Sequence, residues 1–353
     1  MSISARLACF VIASLLCAGA APAQQPSPPA QADARAIHLD VVVTAKSGAP
    51  LGDLQQQDFT LLDNKVPRTI TSFKVVNGRE APIEAVLVID AVNANAQVVG
   101  NERIQIDKFL RADGGNLTYP IAVDVVTDTG IQNVANFSSD GNALDAALQK
   151  DNVGLRDIGR STGYWGATER LQVSLKALGQ IVQAEAPRPG RKLILWVSPG
   201  WPLLSGPNTE LSSHDQQQLF GNIVGISTDL RVARITLYSV DPLGAGESTL
   251  RESDYEQFLK GVGKEGQAQV GNLGLQVIAV QSGGIAFSAG NDIDRFLADC
   301  IADSAPYYEI TFDPASPEQP NEYHHLEVKV AKPGLIARTR QGYYAQPSPN
   351  PGN

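Results

Sequence analysis

Apolar positions change their period along the chain, and the changes divide it into segments. Residues 37–43 carry Val41, Val42 and Val43 in a β-branched run that predicts a strand, and Ser47-Gly48-Ala49-Pro50 behind it is turn chemistry. Residues 58–62, an Asp63-Asn64-Lys65 turn and a strand over 68–76 follow. Short strands between tight turns predict one sheet of a β-sandwich. After Pro82 the pattern changes. Residues 85–89 form a near-continuous apolar run, the signature of a strand covered on both faces. Ile104, Phe109 and Leu110 fit a helix after it, and residues 121–126 and 131–137 flank Thr127-Asp128-Thr129-Gly130 as a hairpin. Leu171, Leu175, Leu178, Ile181 and Val182 recur at helical spacing before an apolar strand over 193–197. A helix over 223–230, a strand over 235–240, the apolar stretch 277–280, a Gly283-Gly284 turn and a short strand over 285–287 come next. Asn291 is placed to cap a last helix containing Ile293, Phe296, Leu297 and Ile301. From Tyr307 the chain returns to strands, over 308–312, 325–330 and 335–340.

Strands alternating with helices over 82–304 predict an α/β domain with a mostly parallel central sheet and helices on both faces. The flanking strands, 36–80 and 306–345, are expected to pair with each other, so that the α/β domain is inserted in a small β-sandwich. The first residues read as an export signal over 1–23: Arg6 opens it, Leu7 to Ala21 is apolar, and Ala21-Pro22-Ala23 is a small-x-small cleavage site. A Gln-, Pro- and Ala-rich linker (24–35) and a tail (346–353) are expected to be disordered. Beyond the signal no stretch approaches the length of a membrane span, which places the mature chain in solution, secreted or periplasmic. The net charge of −9, with Lys and Arg scattered, argues against nucleic acid as a partner. Of three cysteines, Cys9 and Cys17 leave with the signal, and Cys300 on an apolar helix face reads as a buried, inert thiol.

Several segments resemble, in order, the acidobacterial-type VWFA-related family, across about residues 37–344. They are Val43-Thr44 through Gly48, then Leu54, Asp58-Phe59, Leu62-Asp63-Asn64 and Ile70-Thr71-Ser72-Phe73 at the front. Val86-Leu87-Val88-Ile89-Asp90 resembles the first strand of an A-type domain, and Gly190-Arg191-Lys192 the approach to its central strand. Asp294, Arg295-Phe296-Leu297, Tyr307-Tyr308, Pro333-Gly334-Leu335 and Arg338 through Arg340-Gln341-Gly342-Tyr343 resemble its closing segment. The resemblance implies a Rossmann-like von Willebrand factor A-type domain with its site at the carboxyl ends of the strands. It also implies a metal-ion-dependent adhesion site, in which Asp-x-Ser-x-Ser, a second-loop Thr and a third-loop Asp offer oxygens to Mg²⁺.

Against that pattern the loop reads Asp90-Ala91-Val92-Asn93-Ala94. Val92 and Ala94 stand at both serine positions, and Ser198-Pro199-Gly200 stands where the third-loop Asp belongs. The second-loop threonine is Thr162 or Thr168. The candidate metal set is therefore Asp90, Asn93 and Thr168, with Asn95 a further amide near the acid, and the expectation is a degenerate site, no resident cofactor and no Mg²⁺-dependent stabilisation.

Trp196-Val197-Ser198-Pro199-Gly200 superficially resembles a nucleophile elbow, but Trp196 fills its first glycine position and Pro199 has no N–H for an oxyanion. His324 and His325 alternate along a strand and cannot chelate one ion together; they read as surface or sandwich-face residues. Asp128 reads as a turn former. Tyr164 and Trp165 in a Gly-rich loop, with Trp201 after Pro199-Gly200, are expected near the strands' carboxyl ends. They make either a partner-binding surface or a filling for the degenerate site. The leading expectation is an exported, non-catalytic module that binds another protein. A metal-dependent adhesin acting through Asp90 and a serine hydrolase acting through Ser198 are the alternatives.

Overall fold

The computed structural model describes residues 36–45, 48, 50–77, 82–152, 155, 163–203, 211–244, 255–288, 290 and 292–346. The expected export signal and linker, Thr162, Asn291 and residues 347–353 of the tail lie outside the described residues. Four strands open the described chain: β1 (Ile37–Ala45), β2 (Phe59–Asp63), β3 (Val66–Arg68) and β4 (Ile70–Val76). β2 and β3 form a hairpin around Asn64 and Lys65, whose φ values of 49° and 69° are those of a primed two-residue turn. The single strand expected over 68–76 is two strands. β3 stays with β2, whereas β4 joins β1's sheet, so the opening strands divide between two sheets instead of making one.

The α/β part follows as β5 (Ile83–Asp90), α1 (Ala96–Arg111), β6 (Asn116–Thr127), β7 (Gly130–Asp140), α2 (Gly141–Lys150), α3 (Gly163–Glu185), β8 (Arg191–Val197), α4 (Ser213–Val232), β9 (Ile235–Val240), α5 (Leu275–Gln281), β10 (Ala286–Phe287) and α6 (Ile293–Ala302). Its six-stranded sheet has the order β10-β9-β8-β5-β6-β7, parallel except for β7. The β6–β7 turn is held by Thr127, whose hydroxyl accepts from Thr129 N and donates to Gly130 O; the expected turn former, Asp128, is exposed beside it.

Alternation along β5 assigns its two faces. Ala85, Leu87 and Ile89 pack with α1, α2 and α6, while Val86 and Val88 pack with α3, α4 and α5. A strand buried on both sides has no polar position to spare, which is why its sequence is a continuous apolar run. On α1 the inward residues are Val99, Glu102, Arg103, Ile106, Phe109 and Leu110, whereas Ile104 is 58% exposed. Cys300 on α6 is buried, and burial pushes its thiol well above its ordinary value, so little reactive thiolate forms. Among the described residues no helix is long and apolar enough to cross a membrane.

The closing strands are β11 (Tyr307–Phe312), β12 (Glu322–Val330), β13 (Leu335–Arg338) and β14 (Gly342–Ala345). They complete two antiparallel four-stranded sheets, β13-β1-β11-β4 and β14-β12-β2-β3. Leu39, Val41 and Ile310 of the first share one buried core with Leu61, Leu326 and Tyr343 of the second. These sheets meet the α/β part at the amino ends of β8 and β9. Arg191 donates to Ser304 O at 2.8 Å, and Arg234, just before β9, donates to Asp40 and to Glu309, the latter at 2.8 Å. The carboxyl ends of the parallel strands lie on the opposite edge.

Asp63 is the polar centre of the two antiparallel sheets. Fully buried, it bonds His324 Nδ1 at 2.7 Å, accepts from Tyr343 Oη at 3.0 Å and has Arg68 Nε at 3.4 Å. His324 stacks on the Tyr343 ring at 4.9 Å and is buried on the inner sandwich face, while His325 is exposed, so the pair divides between the two expected positions. A buried carboxylate is tolerated because three partners compensate it. Asp63→Ala leaves His324 and Tyr343 unpaired in a low-dielectric core and is expected to cost about 3–5 kcal/mol in chemical denaturation. His325→Ala, the surface control, is expected to change stability by less than about 0.5 kcal/mol.

Candidate functional site

Residue parity builds the site. Asp90 continues the Val86, Val88 face of β5, and Trp196 continues the Ile194 face of its neighbour β8, so both side chains reach the α3 side. β5 ends at Asp90, and the chain turns at once through Ala91, Val92 and Asn93 into α1, whose N-cap is Asn95. That turn folds back onto the acid. Asp90 Oδ1 accepts from the backbone N–H of Val92 and of Asn93, both at 3.0 Å.

The second carboxylate oxygen accepts three side-chain donors. Asn93 Nδ2 lies at 2.9 Å, Trp196 Nε1 at 3.1 Å and Ser198 Oγ at 2.9 Å. Asn93 Nδ2 also reaches Ser174 Oγ of α3 at 2.9 Å, and Ser198 Oγ accepts from Gly200 N at 3.1 Å. Five donors therefore converge on one fully buried carboxylate. About four lone-pair sites are available on a carboxylate, so none is left over.

This arrangement does not fit a hard divalent cation, which needs oxygens that can turn their lone pairs toward it. Val92 and Ala94 bring no side-chain oxygen, and Ser198 spends its proton on Asp90. Asn95 Oδ1 is engaged as the cap of α1, accepting from Val98 N at 2.9 Å. Thr168 does not join the site: its hydroxyl donates to Tyr164 O, one turn back in α3, at 3.0 Å. The α3 residue that does reach the cluster is Ser174. Asn93 Oδ1 is the one buried acceptor here without a donor, a single ligand where several are required. Among the described residues no group of three or more His, Cys, Asp or Glu side chains is arranged to hold a metal. Ser198 also does not fit a nucleophile of elbow type, since it is fully buried, donates its hydroxyl to a carboxylate and is followed by Pro199.

The three aromatic candidates separate. Trp201 is buried, contrary to a place on the contact surface, and packs edge-on against Trp196 at 5.1 Å and 77°. Gly200, at φ 101°, turns the chain back so that this indole closes over the cluster. Tyr164 and Trp165 are 50% and 76% exposed and lie in the first turn of α3, where a loop was expected. α3 leads into β8 and so runs antiparallel to it. Its amino end is on the carboxyl edge of the sheet, and Trp165 lies about 14 Å along the axis beyond Ser174.

Glu102, on the α1 side, was not anticipated. It is fully buried, and neither carboxyl oxygen has a hydrogen-bond partner. Burial pushes its carboxyl well above the ordinary value, and the charges of Asp90 and Asp241 push it further. Its carboxyl thus keeps its proton to a higher pH than an ordinary glutamate.

No family model matches the chain, and no curated protein matches it. Among solved structures it is similar to the SpRpn10 VWA domain, at 11% identity over 45% of this chain and 74% of that one, with a TM-score of 0.27. BatB of Bacteroides thetaiotaomicron, a conserved hypothetical protein, is similar at 11% identity over 63% of this chain and 98% of that one, with a TM-score of 0.32. The pilus adhesin SpaC of Lactobacillus rhamnosus GG is similar at 10% identity, with a TM-score of 0.36; the match covers 84% of this chain and 49% of SpaC.

The Glu102 environment sets a pH dependence. The native state keeps a proton that the unfolded chain releases near the ordinary value of 4.5, so this contribution is full below that pH. It is lost as the pH rises through the native value. Glu102→Gln keeps the shape and removes the titration. The variant is expected to be at least as stable as the parent at pH 7, with a shallower fall in stability between about pH 5 and 8. Denaturation midpoints across that range measure it; parallel curves for the two proteins contradict it.

Proposed function

We propose that this chain is an exported, non-catalytic protein-binding module. In this reading an A-type α/β domain is inserted in a β-sandwich, and the place of the metal-ion-dependent adhesion site is taken by a hydrogen-bonded carboxylate. The observation that carries it is the saturation of Asp90 by five donors. A carboxylate so engaged has no open coordination position through which a cation could bridge to a partner's acid. Recognition then falls to surface shape and aromatic contact.

The exposed aromatic pair suits that role. Tyr164 and Trp165 stand edge to face at 6.0 Å on the overhanging end of α3. Large, amphipathic rings with few rotatable bonds bury much area at little entropic cost, which is why they dominate binding hot spots. Buried Ser198, with its hydroxyl held by Asp90, favours binding over catalysis. The amino-terminal run, read as an export signal with cleavage after Ala23, favours a partner outside the cytoplasm. The net charge of −9 disfavours nucleic acid.

Capture of partners from the native cell envelope in the presence of EDTA tests this reading, with two variants as the comparison. Trp165→Ala is expected to fold with unchanged stability and to lose at least about tenfold in affinity for the captured partner. Trp201→Ala is expected to lose about 3–5 kcal/mol of stability, because it empties a filled core position. Capture abolished by EDTA, or unaffected by Trp165→Ala, contradicts the proposal.

A further inference from the structure

Arg340, in the connection between β13 and β14, is only 8% exposed, yet among the described residues its guanidinium makes no hydrogen bond and no ion pair. Its neighbour Arg338 is the contrast, being ion-paired to Asp303 and bonded to Gly283 O. A second arginine, Arg231 in the last turn of α4, lies close enough to repel Arg340; it too has no acidic partner, and its buried Nε has no acceptor. Guanidinium stays protonated in proteins. Arg340 thus sits buried without a counter-charge, beside the half-buried Arg231, an arrangement that proteins otherwise avoid by pairing or ligation. The acid whose field reaches Arg340 is Asp40, and it is already held by Arg234. Burial, and then the charge of Arg231, push the Arg340 guanidinium down to about 10.

The guanidinium is not sealed in. It lines a small cleft of about 20 Å³ whose apolar floor is Ile223, Leu230 and Ile278. No acidic side chain lines that cleft. Ser227 and Gln281 bring two more polar side chains to its wall, neither engaged with another described residue. A buried cation, a hydroxyl and an amide around a small cleft with an apolar floor match one chemical group, a compact monoanion with two acceptor oxygens. The geometry points to an anion site between α4, α5 and the β13–β14 connection, in which Arg340 binds a single carboxylate with Ser227 and Gln281 as neutral donors. Arg231 acts from behind it through its field. The site is separate from the Asp90 cluster and independent of the proposed binding activity.

Thermal unfolding of the full chain in sodium HEPES, replaced stepwise by sodium formate at constant ionic strength, tests the site. The expected result is a saturable rise in Tm of about 2–4 °C at tenfold excess over Kd. Arg340→Met is expected to abolish that rise and, without formate, to melt no lower than the parent, because an unpaired buried charge is gone. Arg231→Met keeps the site but removes the supporting charge; it provides a second reading if the first variant does not fold, with formate affinity expected to fall about tenfold. N-acetyl-aspartate amide in a parallel arm separates the sources. A response to it as well as to formate means that a partner's acidic side chain can enter, and a response to formate alone means a free small acid. No saturable rise in the parent overturns the proposal. So does an equal rise in Arg340→Met, or a response to chloride with none to formate.

Discussion

A carboxylate removed from water must be compensated, and the compensation of Asp90 organises the whole carboxyl edge of the sheet. In a metal-bearing A-type domain the compensating charge would be a cation. Here two backbone N–H groups, an amide, an indole and a hydroxyl do the same electrostatic work. The substitutions in the loop are coherent in this light. Ser198 donates its hydroxyl proton to the second oxygen of Asp90. Asn93 turns its amide nitrogen to the acid and ties it to Ser174 of α3. Burial and the charge of Asp90 both favour the protonated form of Glu102.

The same network links chemistry to architecture. Trp196 can donate to Asp90 because parity places both on one face of adjacent parallel strands, and Trp201 then covers that indole. The edge is thereby closed, and the aromatic surface left exposed stands farther out, on the first turn of α3. At the other edge, Arg191 and Arg234 fasten the antiparallel sheets to the α/β part. A partner engaging Trp165 would therefore meet the end of the molecule remote from that seam.

Legibility in the sequence followed burial. β5, β8 and β9 are covered on both faces, so their apolar runs could hardly mean anything else. α1 was harder to phase: Glu102 and Arg103 occupy inward positions that an apolar count does not credit, whereas apolar Ile104 faces out. The strand over 68–76 carries no mark of the point where the chain changes sheets, since pairing partners are chosen by distant segments. Similarly, the lack of side-chain oxygens at Val92 and Ala94 was visible, but the donors to Asp90 come from residues as far as 108 positions away. One signal was available. An indole in a buried parallel strand needs an acceptor for its N–H, and Asp90 was the acid nearest in register. Trp201 was misjudged because a residue after Pro-Gly looks like a loop tip, whereas the positive φ of Gly200 turns it inward.

The central claim is that Asp90 is already satisfied and has no oxygen to give a cation. Crystals grown without divalent ions and soaked in millimolar manganese, followed by anomalous diffraction at the manganese edge, test it directly. The account predicts no anomalous peak within bonding distance of either Asp90 oxygen, with the five donors in place. An octahedral ion seated on that carboxylate, with Asn93 and Ser198 swung away, would contradict it.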